Sequence, residues 1–296
     1  LEYEIDLNLE RISIEKKWMS SKSTIKETKL LDERYGKKWY EYFLKKWIDL
    51  SVTPEEMYNF GVLEIKNAKR EIQKLQSKLK MNEKEFDRYI NDKKFFITSK
   101  EEVQKRYDSL KIMINKNAGK YFPSLDKVPE ISIEKGTNKS FAIAPAYYIN
   151  NTFYYNFFDD NYDTKTMGWT YVHEAIPGHH YQTSITSLQN RSKVQNLFKY
   201  YSFIEGWGAY VEQLGAQLGI YNHLEVQYGQ LEWDLIRSIR VVLDVGLNYY
   251  GWSDNKALNF WRQHMKNNDT IAIREISRIK RWPAQVISYK YRSEER

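Results

Sequence analysis

The segment 171–182 concentrates the residues of this chain that are best suited to bind a metal. It contains His173, His179 and His180, three of the five histidines in 296 residues, and Glu174 directly follows the first of them. Two histidines on one helical face, with a glutamate beside the first, bind zinc and supply a general base in sites of the H-E-x-x-H type. Here the second histidine comes six or seven positions after the first instead of four.

The segment can bring two histidines onto one ion only if its helix is broken. Residues six apart on an ideal helix differ by about 240° in direction and about 9 Å in height, and residues seven apart by about 10.5 Å in height. Pro177 lacks an amide hydrogen and clashes with the carbonyl four residues back, and Gly178 adopts conformations closed to other residues. We therefore predict a break at this pair. Because His179 directly follows this break, we favour His179 over His180 as the partner of His173.

A third ligand is expected from the segment 203–215. A catalytic zinc takes three protein ligands, and a chain without cysteine offers imidazole and carboxylate. Glu205 lies among apolar residues on a predicted helix, where an acid is costly to bury unless it is paired or bound to metal. Glu205 is therefore the predicted third ligand of one Zn2+ ion. Glu212 shares its face two turns on, and either supports a ligand or replaces Glu205. Glu174 is the predicted general base.

The composition indicates a globular chain and excludes several classes of protein. Apolar residues make up 42% of the chain, and 24 tyrosines favour a polar cleft. The net charge is +7, but the lysines are spread along the chain, so we expect no nucleic-acid partner. The absence of cysteine excludes disulfides and thiolate sites. No apolar run is long enough to predict a membrane span. The chain starts at Leu1 and lacks a signal-peptide pattern, which suggests a processed or truncated form.

The first part of the chain predicts long helices. Residues 1–122 have a helical pattern throughout. Thr53 and Pro54 predict the start of a helix that continues to about residue 79 and packs against a second long helix. Ser99 predicts the start of another helix, which ends near residue 117.

The second part predicts a small sheet followed by more helices. Segments rich in β-branched and aromatic residues predict about three strands, at 128–134, 141–149 and 152–158. Helices are expected through the histidine segment and around 193–218, 224–250, 254–266 and 270–278. The predicted fold class is mainly α with a small β-sheet (α+β), with a helical region 1–122 and a site-bearing region 123–296 in one compact unit.

Several motifs resemble a bacterial family known as domain of unknown function 885. The similar segments are, in order, YGKKWYEYFL, TPEEMYNFGVLEI, HEAIPGHHYQ, EGWGAYVEQLG, RVVLDVGLNYYGW and RWPAQVISYK. They extend from about residue 35 to residue 290. The resemblance implies a zincin-like core of helices around a broken motif helix, as in thermolysin-like zinc metallopeptidases with a glutamate third ligand. Dipeptidyl peptidase III is comparable, since it also tolerates a lengthened histidine motif. Members are roughly twice this long, which implies that the chain is the C-terminal half, and many resemble exported proteins or lipoproteins.

Carried over by position, the resemblance supports the ligands and the base named above and adds further candidates. The residues expected to hold the ligands in place or to contact substrate are His180, Tyr210, Glu212, Asp244, Asn248, Tyr250, Arg278, Gln285 and Tyr289. One departure concerns the family pattern D-x-G-x-H, which often has histidine where this chain has Asn248. Asparagine can still donate a hydrogen bond to an oxyanion, but not as a cation, and Tyr249 or Tyr250 could substitute.

The expected function is a zinc-dependent peptidase acting on a peptide substrate. The alternatives are a non-catalytic zinc- and peptide-binding protein with a relic site, a zinc hydrolase of non-peptide amides, and a helical scaffold without metal. The predicted strand 141–149 is either an ordinary buried strand or an edge strand that pairs with the substrate.

Overall fold

The computed structural model describes residues 29–139, 144–266, 268–291 and 293, which form a mainly helical structure with two small sheets. The predicted fold class is thereby confirmed. The α-helices are α1 (Gly36–Ile48), α2 (Pro54–Lys78), α3 (Glu83–Ile90), α4 (Lys100–Ala118), α5 (Met167–Glu174), α6 (His179–Ser187), α7 (Lys193–Leu197), α8 (Tyr201–Glu212), α9 (Gly215–Leu218), α10 (Leu224–Asn248), α11 (Asp254–His264), α12 (Asp269–Arg281) and α13 (Ser288–Tyr291).

The strands are short and form a pair and a three-stranded sheet. They are β1 (Phe96–Ile97), β2 (Ser132–Lys135), β3 (Ala146–Ile149), β4 (Thr152–Tyr155) and β5 (Tyr162–Asp163). The order of the larger sheet is β2-β4-β3, with β4 parallel to β2 and antiparallel to β3, while β1 pairs with β5. The three predicted strands correspond to β2, β3 and β4. The first residues of the predicted segment 141–149, up to 143, lie outside the described residues.

The predicted helix starts are formed by their capping residues. The Thr53 side chain accepts a hydrogen bond from the Glu56 amide, the Glu56 carboxylate accepts one from the Thr53 amide, and Pro54 occupies the first turn of α2. Ser99 likewise accepts a hydrogen bond from the Glu102 amide at the start of α4. Both helices end within two residues of their predicted ends.

Two large apolar cores and a smaller cluster around Phe86 and Tyr228 hold the helices together. One core is built from α1, α2 and the helices α10 to α12, and α2 packs along α10, as expected for a long helix pair. The other core joins α4, the three-stranded sheet, α5 and the segment from α8 to α9. Helix α5 contacts both α8 and α10, so the histidine segment lies where the two cores meet.

The segment 193–218 is divided into the three short helices α7, α8 and α9. Its last helix ends at Gly219, whose φ of 84° is readily adopted only by glycine. Among the described residues, no helix has the length and apolar character needed to cross a membrane.

Candidate metal centre

The helix that carries the first histidine breaks where the sequence predicts it. Helix α5 ends at Glu174 and α6 begins at His179, and the peptide bond before Pro177 in the connecting turn is cis. The turn closes tightly on α5: a Cβ atom on Gly178 would lie 1.8 Å from the carbonyl oxygen of His173. Because no side chain fits at that distance, the turn requires glycine.

The break brings the two imidazoles together beside a carboxylate. The rings of His173 and His179 lie 4.7 Å apart between centroids and are nearly perpendicular, at 83°. One oxygen of Glu205, Oε2, is 3.7 Å from Nε2 of His173 and 3.6 Å from Nε2 of His179. These distances exceed an ordinary hydrogen bond. They are close to the roughly 3.4 Å between two ligand atoms on one tetrahedral zinc ion.

Glu174 lies in the same cluster. One ligand atom from each of His173, Glu174 and His179 can be chosen so that all three lie within 4.8 Å of one another. Burial raises the pKa of the Glu174 carboxyl above its usual range, although the two histidines act in the opposite direction. A raised pKa suits a general base that must take up and release a proton near neutral pH.

The orientation of His173 is fixed by a buried carboxylate. Its Nδ1–H donates to Oε1 of Glu212 at 2.6 Å, and the Arg237 guanidinium donates two further hydrogen bonds to Glu212, at 2.6 and 2.7 Å. Because Glu212 accepts the hydrogen bond from Nδ1–H, the neutral ring carries no hydrogen on Nε2. The lone pair of Nε2 is therefore directed towards Glu205. Of the two carboxylates, Glu212 thus lies on the Nδ1 side of the His173 ring and Glu205 on the Nε2 side. This placement favours a supporting role for Glu212, and the role of each residue stays a prediction.

Gly208 allows the second helix to approach the ring. A Cβ atom at this position would lie 2.7 to 2.9 Å from three ring atoms of His173. Helix α8 therefore packs directly on the imidazole, which places Glu205 and Glu212 on opposite sides of it. Neither Gly208 nor Arg237 was predicted from the sequence. An arginine within the apolar segment 235–247 of α10 was the available signal for Arg237.

The electrostatics of the cluster favour a divalent cation. Glu174 and Glu205 lie beside the two imidazoles, and of the three carboxylates only Glu212 forms an ion pair with an arginine, Arg237, among the described residues. Burial alone would lower the pKa of His173, but the surrounding carboxylates raise it to about 10. Burial would raise the pKa of Glu205, but the two histidines lower it well below its usual range. A proton and a metal ion compete for such nitrogens, so the residues fit a metal.

His180 is turned away from the two ligand rings. Its Nδ1 lies 3.1 Å from the hydroxyl of Tyr148 on β3, and its Nε2 lies 2.8 Å from the carbonyl oxygen of Pro129. His179, and not His180, is thus the partner that the helix break brings to His173. These contacts connect α6 to the sheet, and the supporting or substrate-binding role expected of His180 stays a prediction.

Three predicted residues near the C-terminus form one hydrogen-bonded group. Arg278 donates to Oε1 of Gln285 at 2.8 Å and lies 3.5 Å from the hydroxyl of Tyr289. Tyr289 belongs to α13, which packs against the helix α8 that carries Glu205. The structure therefore brings this group next to the candidate metal centre.

Four other predicted residues are described by their own contacts, and their expected roles stay predictions. Asp244 accepts hydrogen bonds from the Tyr40 hydroxyl and a backbone amide in the core. The side chain of Asn248 is buried, and its NH2 group donates to the carbonyl of Ile279 at 3.2 Å and to Asp244 at 3.5 Å. These contacts use the donors that we expected to serve an oxyanion. Tyr210 and Tyr250 are exposed at the surface, and their rings contact Trp207 and Tyr58.

Comparison with known proteins identifies the family. Residues 16–292 match the family described as "Bacterial protein of unknown function (DUF885)". The chain belongs to this family. No curated protein matches the sequence.

A solved structure shares the fold over most of the chain. It is a crystal structure described as "the putative lipoprotein from Colwellia psychrerythraea", with a TM-score of 0.79 and 20% sequence identity. The match covers 88% of this chain and 48% of the other, so this member of the DUF885 family spans about half the length of that structure.

Proposed function

We propose that this DUF885 protein is a zinc-dependent peptidase with a zincin-like core, in which His173, His179 and Glu205 hold one Zn2+ ion. The observation that carries the proposal is the position of Glu205 Oε2, at 3.7 and 3.6 Å from the Nε2 atoms of the two histidines. Two imidazoles and a carboxylate are a donor set typical of catalytic zinc. When bound, zinc would supply a Lewis acid that polarises a carbonyl group and lowers the pKa of water.

The chain's own residues then divide the remaining work. Glu174 accepts a proton from the attacking water and passes it to the leaving amine, so that the peptide C–N bond is replaced by a carboxylate and an amine. Glu212, held by Arg237, keeps the His173 ring in one tautomer and one orientation.

The edge strand β3 supports a peptide as the substrate. Within the described part of the chain, β3 pairs with β4 on one side and with no strand on the other. An extended peptide adds to such an edge through backbone hydrogen bonds. The contact between His180 and Tyr148 ties β3 to the residue that follows His179, so the edge and the ligand are positioned together.

The variant Glu174→Gln tests the proposed mechanism. It should retain zinc at the parental stoichiometry and lose at least about 100-fold in kcat on a peptide library, because a general base contributes that much or more. Metal analysis of protein purified without chelators and library cleavage measure the two quantities. Glu102→Gln, which changes an exposed carboxylate in α4, is the control.

The outcomes separate the proposal from its alternatives. Parental turnover in Glu174→Gln would show that the assigned mechanism is wrong. Bound zinc without hydrolysis by any form would favour a non-catalytic metal- and peptide-binding protein. Cleavage restricted to non-peptide amides would favour the other class of zinc hydrolase, and a zinc content near zero would leave only the scaffold.

We also propose that the native protein is exported and that a second half contributes to its substrate cleft. The first proposal is supported by the description of the structural neighbour, and the second by its length, about twice that of this chain. Immunoblotting of fractions from the source bacterium would give both the location and the mass of the mature protein. A cytosolic protein would contradict export, and a mass near 35.6 kDa would contradict a second half.

A further inference from the structure

A cluster of arginines beside the candidate metal centre carries more positive charge than its acidic partner neutralises. Arg240 and Arg274 both face Oε1 of the buried Glu275, at 2.8 and 3.6 Å. Arg278 also lies within reach of the Glu275 charge, but it forms no ion pair with any carboxylate among the described residues. Three guanidinium groups thus share one carboxylate.

Arg278 is the member of this cluster that is free to bind an anion. Its guanidinium is half-buried, and its Nε is buried without a hydrogen-bond partner in the described structure. A cation that is partly withdrawn from water without an acidic partner is costly. An arginine in this state presents its donors to a ligand, and carboxylates match the guanidinium geometry best.

The surroundings of Arg278 hold it in place. It donates to Gln285 at 2.8 Å, and its guanidinium carbon lies 5.7 Å from the centroid of the Tyr289 ring. The turn before Gln285 is itself anchored, because the Ala284 amide donates to both carboxylate oxygens of Asp244, at 3.0 and 3.1 Å. A fixed guanidinium loses little entropy when it binds a carboxylate.

The group also lies on the side of Glu205. Helix α13, which carries Tyr289, packs against α8, and the charge of Glu205 acts on both Tyr289 and Arg278. Glu205 and Arg278 are therefore close enough for one bound peptide to contact both.

We propose that Arg278, together with Gln285 and Tyr289, binds the free C-terminal carboxylate of the substrate, which makes the protein a peptidase that removes residues from the C-terminal end. This inference rests on the proposed function. Cleavage adds water across a peptide bond near that end, and the released product keeps the carboxylate that Arg278 holds.

Matched peptides with a free C-terminus and with a C-terminal amide test the inference on the zinc-loaded protein. The parent should cleave the free acid with a kcat/KM roughly 10- to 100-fold higher, the value of a hydrogen bond to a charged group. Arg278→Gln should lose that preference, because its KM should rise far more for the acid than for the amide. Arg278→Lys should restore part of it, since lysine keeps the charge but not the two-pronged geometry. Arg262→Gln, on the surface of α11, is the control.

Equal cleavage of acid and amide by the parent would overturn the inference. So would an equal loss on both substrates in Arg278→Gln, which would indicate a role in the transition state instead. If no peptide is cleaved, the proposed function fails and the binding subsite is still tested. Fluorescence anisotropy of labelled peptides should then give the parent a roughly 10- to 100-fold lower Kd for the acid than for the amide, and equal Kd values would exclude the subsite.

Discussion

Glu212 and Asp244 are both fully buried carboxylates, yet their charges are compensated in opposite ways. Glu212 is flanked by the Arg237 guanidinium and by His173; burial alone would raise its pKa, but these partners lower it below the usual range. Among the described residues, Asp244 accepts hydrogen bonds only from neutral groups, which are the Tyr40 hydroxyl, a backbone amide and a side-chain amide. Because no cation in the described structure compensates its charge, burial raises the pKa of Asp244 to about 7.

The difference separates a carboxylate that must stay ionised from one that need not. An ionised Glu212 can only accept hydrogen bonds, so it fixes the proton of His173 on Nδ1 and leaves Nε2 available to a metal. Asp244 joins α10 to α1 and to the turn before Gln285, and a protonated carboxyl can still serve most of those contacts. Arg237 is therefore the residue that distinguishes the candidate metal centre from an ordinary buried polar cluster.

Replacing Arg237 with methionine should have the largest effect. It leaves Glu212 buried without its counter-ion, and such losses cost about 3–5 kcal/mol of unfolding free energy. Urea unfolding of metal-free protein would measure it. Arg262→Met removes an exposed guanidinium paired with Asp269 and should leave the unfolding free energy nearly unchanged, because solvent screens such a pair. Equal effects of the two substitutions would mean that Arg237 does not compensate a buried charge.

Replacing Glu212 with glutamine should weaken metal binding. The side chain keeps its size but no longer fixes the His173 tautomer, and loss of such a partner typically lowers metal affinity about 10- to 100-fold. Competition with a chromogenic zinc chelator at neutral pH would measure the Kd. Glu102→Gln should bind zinc like the parent, and an unchanged Kd in Glu212→Gln would remove Glu212 from the site.

The stability of metal-free protein should fall with rising pH because of Asp244. Its pKa is about 7 in the folded protein and near the ordinary 3.8 in the unfolded chain, so unfolding releases a proton between these values. The unfolding free energy should drop by roughly 2 kcal/mol between about pH 5 and pH 7 from this group. Urea unfolding of the parent and of Asp244→Asn at several pH values would measure the contribution of Asp244 to this pH dependence. The same slope in both proteins would assign the pH dependence to another residue.

The comparison also indicates how much of the site the sequence could predict. The break at Pro177 and Gly178 followed from local geometry, and the structure has it. The cost of burying an acid led to Glu205, which lies beside both histidines, while its role as a ligand stays a prediction. The small sheet and the capped starts of α2 and α4 were predictable because their signals, strand composition and capping residues, lie within a few neighbouring residues.

Contacts between distant segments could not be predicted in this way. The Tyr40 hydroxyl contacts Asp244, which is 204 positions away in the chain, and Arg237 contacts Glu212, which is 25 positions away. The direction of His180 depends on where the sheet lies, and the fit of Gly208 against His173 depends on how two helices pack. Such positions are fixed by tertiary packing, which cannot be read from the helix and strand patterns of a single segment.

The close packing of Gly208 on the His173 ring has a consequence for the exchange of a metal ion. Held between Glu212 and the backbone of α8, this imidazole cannot rotate unless the helix moves. The Nδ1 atom of His179 has no hydrogen-bond partner in the described structure, so its ring is the less restrained of the two. If the proposed centre binds an ion, its release should therefore begin with movement of His179 on α6, while His173 and Glu205 stay in place.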